Sequence, residues 1–122
     1  MLTDPGKVGH LILGTQDGLY TTSDGGATWS RTDPGVTASM CSVIYQNAVR
    51  VPGAPNEIYM AVNAAGMYYS ADNGVTWEAR NQGLSGDCLT PFGIGVVTGT
   101  DVVVYATMLG SGRDSIFAFL AK

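Results

Sequence analysis

A twelve-residue pattern occurs twice at a fixed offset, and it constrains the fold more than any other feature of the chain. GLYTTSDGGATW (residues 18–29) and GMYYSADNGVTW (residues 66–77) lie 48 positions apart. Six positions are identical: Gly18/Gly66, Tyr20/Tyr68, Asp24/Asp72, Gly26/Gly74, Thr28/Thr76 and Trp29/Trp77. Gly35 and Gly83 keep the same offset. The flanks repeat more loosely, as VGHLILG (8–14), NEIYMAV (56–62) and VVVYATM (102–108). Two full motifs and the start of a third mark a chain built from copies of one supersecondary unit.

Each unit reads as strands. Short, apolar, β-prone segments fall at 41–46, 58–62, 67–70, 93–97 and 102–107, with Gly, Pro, Asn and Asp between them. No window holds a 3.6-residue apolar period over a helix length. About four strands per period of 40 to 50 residues is the signature of a β-propeller blade. The expected fold is all-β, with antiparallel sheets making about two and a half four-stranded blades. The divisions fall at a part-blade 1–35, a full blade 36–84 and a part-blade 85–122. With strands lettered a to d from inner to outer, the first blade is expected to begin at strand b (8–14) and lack a. The last is expected to lack d.

The repeated motif resembles a known one. Thr22-Ser23-Asp24-Gly25-Gly26-Ala27-Thr28-Trp29 and Ser70-Ala71-Asp72-Asn73-Gly74-Val75-Thr76-Trp77 fit Ser/Thr-x-Asp-x-Gly-x-Thr-Trp. The pattern is similar to the Asp-box, or BNR repeat, of sialidases, xyloglucan-type glycoside hydrolases, sortilin-like receptors and photosystem assembly factors. The resemblance implies a turn between strands c and d on the outer rim of a propeller, away from the central axis where ligands bind. Physical chemistry gives each residue type a structural task. Asp24 and Asp72 can accept backbone N–H groups of their own turn. Gly26 and Gly74 suit a backbone that side chains resist. Thr22, Ser70, Thr28 and Thr76 can tie the strand ends together. Trp29 and Trp77 can pack between neighbouring elements, their indole N–H groups finding acceptors. A calcium loop would need more oxygen ligands than this.

Composition narrows function. Six basic residues against ten acidic ones give a net charge of −4, which argues against nucleic acid as a partner. Hydrophobic residues at 45% exclude a disordered chain. No run approaches the roughly 20 apolar residues of a membrane helix, and the opening MLTDPGKVGH does not read as a secretory leader. The localisation stays open, the resemblance tilting it toward the extracellular space or a surface. Cys41 and Cys88 lie 47 apart, at the start of strand a in successive blades. They read as small packing residues, a disulfide being the alternative.

Catalytic constellations are sparse. Arg50-Val51-Pro52 faintly echoes the Arg-Ile-Pro signature of sialidases, but the repeat alignment makes it a Pro-rich turn between strands a and b. A glycoside hydrolase needs two carboxylates across the scissile bond. Outside the boxes the acids are Asp4, Asp17, Asp33, Glu57, Glu78, Asp87, Asp101 and Asp114, with no matching pair between repeats. His10 reads as a strand residue, and no metal or cofactor is expected. Tyr20, Tyr59, Tyr68 and Tyr105 fit the repeat and are expected to pack between blades. Tyr45, Tyr69 and Phe92, with Asp87, are the candidates for a glycan- or protein-binding face.

Closure decides the functional expectation. A propeller takes at least four blades, roughly 190 residues at this period. Fewer blades expose apolar faces and unpaired edges. The sequence therefore suggests a non-catalytic assembly or binding module whose ring is completed by further copies or by a partner protein. The alternatives are a fragment of a carbohydrate-active enzyme, sialidase-like or xyloglucanase-like, or a structural subunit of a larger particle.

Overall fold

The computed structural model describes residues 2–4, 6–33, 44–63, 66–80, 90–98, 102–110 and 113–120. These form three antiparallel sheets, each a meander in sequence order. The first holds β1 (Leu2–Thr3), β2 (Leu11–Gly14), β3 (Leu19–Thr22) and β4 (Ser30–Arg31). The second holds β5 (Ile44–Val51), β6 (Ala54–Asn63), β7 (Gly66–Ser70) and β8 (Glu78–Ala79). The third holds β9 (Thr90–Thr98), β10 (Val102–Gly110) and β11 (Arg113–Leu120). The all-β class and the four-strand unit expected from the repeat are what the chain adopts.

Three local expectations are corrected. The first sheet does have an innermost strand, because Leu2 and Thr3 pair with Ile12 and Leu11. Two residues are too short a run for an alternation pattern to reveal. Strand β2 starts at Leu11, not at residue 8. Val8 and His10 belong to the preceding turn, which is closed by the N–H groups of Lys7 and His10 donating to the carbonyls of Asp4 and Lys7. Arg50 is no loop residue. It sits on β5 opposite Ile58, and the turn is the tighter Pro52-Gly53 between Val51 and Ala54.

The repeat is visible in hydrogen bonds as well as in residues. Beyond β4 and β8, the N–H of Thr32 donates to the carbonyl of Leu19 and that of Arg80 to the carbonyl of Met67, both at 2.8 Å and 48 residues apart. Thr22 pairs with Leu11 and Ser70 with Ile58. Leu11, Ile12 and Leu13 are therefore the counterparts of Ile58, Tyr59 and Met60.

Strand β6 explains why the sheets stack. Its run Ile58-Tyr59-Met60-Ala61-Val62 does not alternate apolar with polar, and all five residues are buried. A strand buried on both faces reads this way. Ile58, Met60 and Val62 join Ile12 and Leu19 of the first sheet, with Leu2, Ala48, Tyr68 and Trp77 packed against them. Tyr59 and Ala61, on the opposite face, join Val51, Met67 and Val104, with Ile94 and Val96 of the third sheet against them. The second sheet is the middle layer of a three-layer stack.

The outer faces follow from register. Leu13 pairs with Tyr20 and Leu11 with Thr22, so these residues share the face of the first sheet turned away from the second. Leu11, Leu13 and Tyr20 are half-buried there. On the third sheet, Val96 and Val104 pair on the inner side and Val97 and Val103 on the outer one. Val97 is 57% exposed.

Candidate functional site

Both boxes fold into the same clasp. In the first, the Thr22 hydroxyl donates to Asp24 Oδ1 at 2.7 Å and accepts the N–H of Gly26 at 3.0 Å. The N–H of Thr28 donates to Asp24 Oδ1 at 2.9 Å and its hydroxyl to Oδ2. In the second, Ser70 donates to Asp72 Oδ1 at 2.8 Å and accepts the N–H of Gly74 at 2.8 Å. Thr76 donates to Asp72 through its N–H, at 2.8 Å, and through its hydroxyl. Gly26 and Gly74 have φ of 100° and 88°, in the left-handed region. Donors on both oxygens favour the charged carboxylate. The Thr28 hydroxyl, the Thr28 N–H and the Thr22 hydroxyl hold Asp24 far below the usual carboxylate range. At Asp72 burial pushes upward, and Thr76 and Ser70 outweigh it, leaving the group lowered.

The two boxes differ in what surrounds them. Trp29 donates its indole N–H to the Gly26 carbonyl at 3.0 Å and is 41% exposed. Trp77 packs against the Ile12–Met60 cluster, and its Nε1 is enclosed without an acceptor. The second box therefore lies against a neighbouring sheet, and the first does not meet one among the described residues.

Residues with no role in the motif make a polar joint between the first two sheets. Asn73 of the second box, at φ 62°, donates from Nδ2 to Asp4 Oδ2 at 2.9 Å. Arg50 donates from Nη1 to Asn73 Oδ1 at 2.5 Å and to the Pro55 carbonyl at 2.6 Å, and from Nε to the Thr3 carbonyl at 2.9 Å. Asp4 Oδ1 accepts the N–H of Gly6, and its Oδ2 lies 3.9 Å from Arg50 Nη2 and 3.5 Å from His10 Nδ1. Sequence reasoning missed this cluster because its members are 69 residues apart at the extreme, Asp4 to Asn73. One signal was present: Asn73 replaces the first box's Gly25 at a left-handed position, and Asn is the side chain that best tolerates it.

The joint gives stability a pH dependence. Burial lowers His10 below its ordinary value of 6.5; Asp4 opposes this, and Arg50 and Lys7 add to it. The hydrogen bond from Asn73 is the main cause lowering Asp4 below 3.8; burial opposes it, and the Gly6 N–H, Arg50 and His10 add to it. For both groups the unfolded chain takes the proton first as pH falls. Stability should hold above pH 6.5, decline as pH drops below it through His10, and decline again below 3.8 through Asp4 together with the clasp carboxylates Asp24 and Asp72. Thermal melts of the His10→Gln variant should lose the upper decline and keep the lower one. An unchanged profile would remove His10 from the account.

Of the four residues expected to form a binding face, Tyr69 is the one with a described side chain. Tyr45 and Phe92 fall on β5 and β9, their side chains outside the description, and Asp87 lies outside the described residues, as do Cys41 and Cys88. Tyr69 borders an open depression of about 410 Å³ lined with Ala54, Pro55, Asn56, Glu57 and Ala71. Its hydroxyl donates to Glu57 Oε1 at 2.6 Å. Burial first, and that bond second, push the hydroxyl up to about 12. Tyr59 lies 4.9 Å from the ring, centroid to centroid, and the Arg80 guanidinium sits 4.5 Å above it. Glu57, Tyr59 and Arg80 hold this tyrosine in place.

The family model for the BNR/Asp-box repeat matches residues 68–79. This chain carries a BNR/Asp-box repeat. The match covers the second clasp, from Tyr68 through Trp77 to Ala79, and the first clasp reproduces its hydrogen bonds at an offset of 48. With the stacked antiparallel sheets, the Asp-box repeat identifies a β-propeller-type module. No curated protein matches the chain at a meaningful level. Among the described residues no helix is long and apolar enough to cross a membrane, and no three His, Cys, Asp or Glu side chains converge as metal ligands.

Proposed function

We propose that this chain is a non-catalytic assembly module that completes its propeller by associating with further copies of itself. The observation that carries the reading is the pair of outer sheet faces. Leu11 and Leu13 on the first sheet are half-buried where their counterparts in the middle sheet, Ile58 and Met60, are fully buried, and Val97 on the third sheet is 57% exposed. Surfaces of that kind lose free energy by being covered. The non-catalytic part is supported by how the described carboxylates are engaged. Asp24 and Asp72 accept their own turn's donors, Asp4 accepts Asn73 and Gly6, and Glu57 accepts Tyr69.

Sedimentation velocity over a range of micromolar concentrations tests the association, and assays with sialylated and xyloglucan-type substrates test the chemistry. The expected result is a species larger than one chain that turns over neither substrate. A monomer at every concentration, or hydrolysis by the wild-type chain, overturns the reading.

A further inference from the structure

We infer that copies of this chain meet head to tail. The outer face of the first sheet in one copy, built on Leu11, Leu13, Tyr20 and Trp29, receives the outer face of the third sheet in the next, which carries Val97 and Val103. The inference deepens the association reading above and rests on it.

The internal interfaces supply the rule. Every sheet has two kinds of face. One kind is turned toward the preceding sheet: Ala48, Ile58, Met60, Tyr68 and Trp77 in the second sheet, Ile94, Val96 and Val104 in the third. The other is turned toward the following sheet: Leu2, Ile12 and Leu19 in the first sheet, Val51, Tyr59 and Met67 in the second. Both internal interfaces join one kind to the other. Register places Leu11, Leu13 and Tyr20 on the first kind and Val97 and Val103 on the second. The two ends of the stack are thus complementary to each other. A contact pairing like with like would be a packing that neither internal interface uses.

The first box has the seat such a neighbour needs. At the second box, a Cβ on Gly74 would lie 2.7 Å from Ile12 Cδ1 of the preceding sheet, and Trp77 closes over the same cluster. At the first box the counterpart glycine, Gly26, meets nothing nearer among the described residues than its own Trp29 at 3.6 Å, and Trp29 is 41% exposed. On the donating side, a Cβ on Gly95 would meet nothing within 4 Å among the described residues. The joint does not recur there, because Gly25 stands where the second box has Asn73. The contact is then apolar, and its strength should change little with ionic strength. Joining unlike faces is a heterologous contact, which closes into a ring when the rotation permits.

Mixing two blocked variants tests the direction. Leu13→Asp spoils the first-sheet face and Val97→Asp the third-sheet face. Head-to-tail packing predicts that each variant alone sediments as a monomer. Mixed one to one, they should form a heterodimer, since one intact face of each kind remains. Formation of that heterodimer also shows that both variants are folded. If either Asp variant loses its β-sheet circular dichroism, the corresponding Leu13→Thr or Val97→Thr replaces it. Self-association of one folded variant, with no heterodimer on mixing, would mean that like faces pair and would overturn the inference while leaving association intact. A monomeric wild-type chain would instead remove the association reading itself. A heterodimer that dissociates when salt is raised would overturn the apolar character of the contact.

Discussion

Replacing Ile58 by alanine should destabilise the chain by about 3 kcal/mol, within the range for a buried aliphatic side chain cut back to Cβ. Ile58 is 0% exposed and lies where β6 meets the first sheet, among Ile12, Leu19, Met60 and Val62. The second sheet is packed on both sides, so the layers have little room to close over the void. The informative control is Leu11→Ala. Leu11 occupies the same strand position one sheet earlier, but it is half-buried on an outer face. Its truncation removes apolar area that is already partly wet and should cost under about 1 kcal/mol in the dissociated chain. Urea titrations at matched, dilute concentration would read both values from the midpoint, provided the slopes agree. Equal costs at the two positions would contradict the three-layer arrangement.

How much of this was legible in the sequence follows from what sequence pattern records. The offset of 48 residues located the clasps, because each is local: the aspartate and hydroxyl side chains that close a box bond within four residues of themselves. The apolar run at 58–62 marked a strand, but that both of its faces are covered shows only in how the sheets stack. The joint was not legible, because Asp4, Arg50 and Asn73 meet only when two sheets stack. A repeat alignment also misleads at those positions. It placed Arg50 in a turn, since the two-residue Pro52-Gly53 link leaves the residue before it on the strand. β1 escaped for a related reason: its two residues are strand only because Ile12 and Leu11 lie beside them. The tryptophans mark a further limit. Trp29 and Trp77 are identical in motif, yet one is exposed with its N–H satisfied and the other is packed with its N–H enclosed and unpaired. The motif fixes the clasp, whereas the neighbouring sheet fixes the burial.

That distinction predicts unequal costs for one substitution made twice. Gly26→Ala and Gly74→Ala place the same methyl group on equivalent left-handed residues, at φ 100° and 88°. The backbone strain of a side chain there, roughly 1–2 kcal/mol, is common to both. At Gly26 the new methyl meets Trp29 at 3.6 Å, an ordinary contact. At Gly74 it would lie 2.7 Å from Ile12 Cδ1, and something must move. The end of an isoleucine side chain can usually rotate away. Ile12 is 2% exposed and hemmed in by Leu19, Ile58, Met60 and Val62, so its rotation displaces other core groups. Overpacking of that kind adds about 1–3 kcal/mol. Gly74→Ala should therefore cost about 3 kcal/mol and Gly26→Ala about 1 kcal/mol, strain alone setting the smaller figure. The double variant Gly74→Ala with Ile12→Val removes the colliding methyl and should recover about 1 kcal/mol of the difference, a coupling that a double-mutant cycle reads directly. Equal costs for the two glycines, or no coupling to Ile12, would mean that the second box does not press against the first sheet, and the stacking of the layers would have to be redrawn.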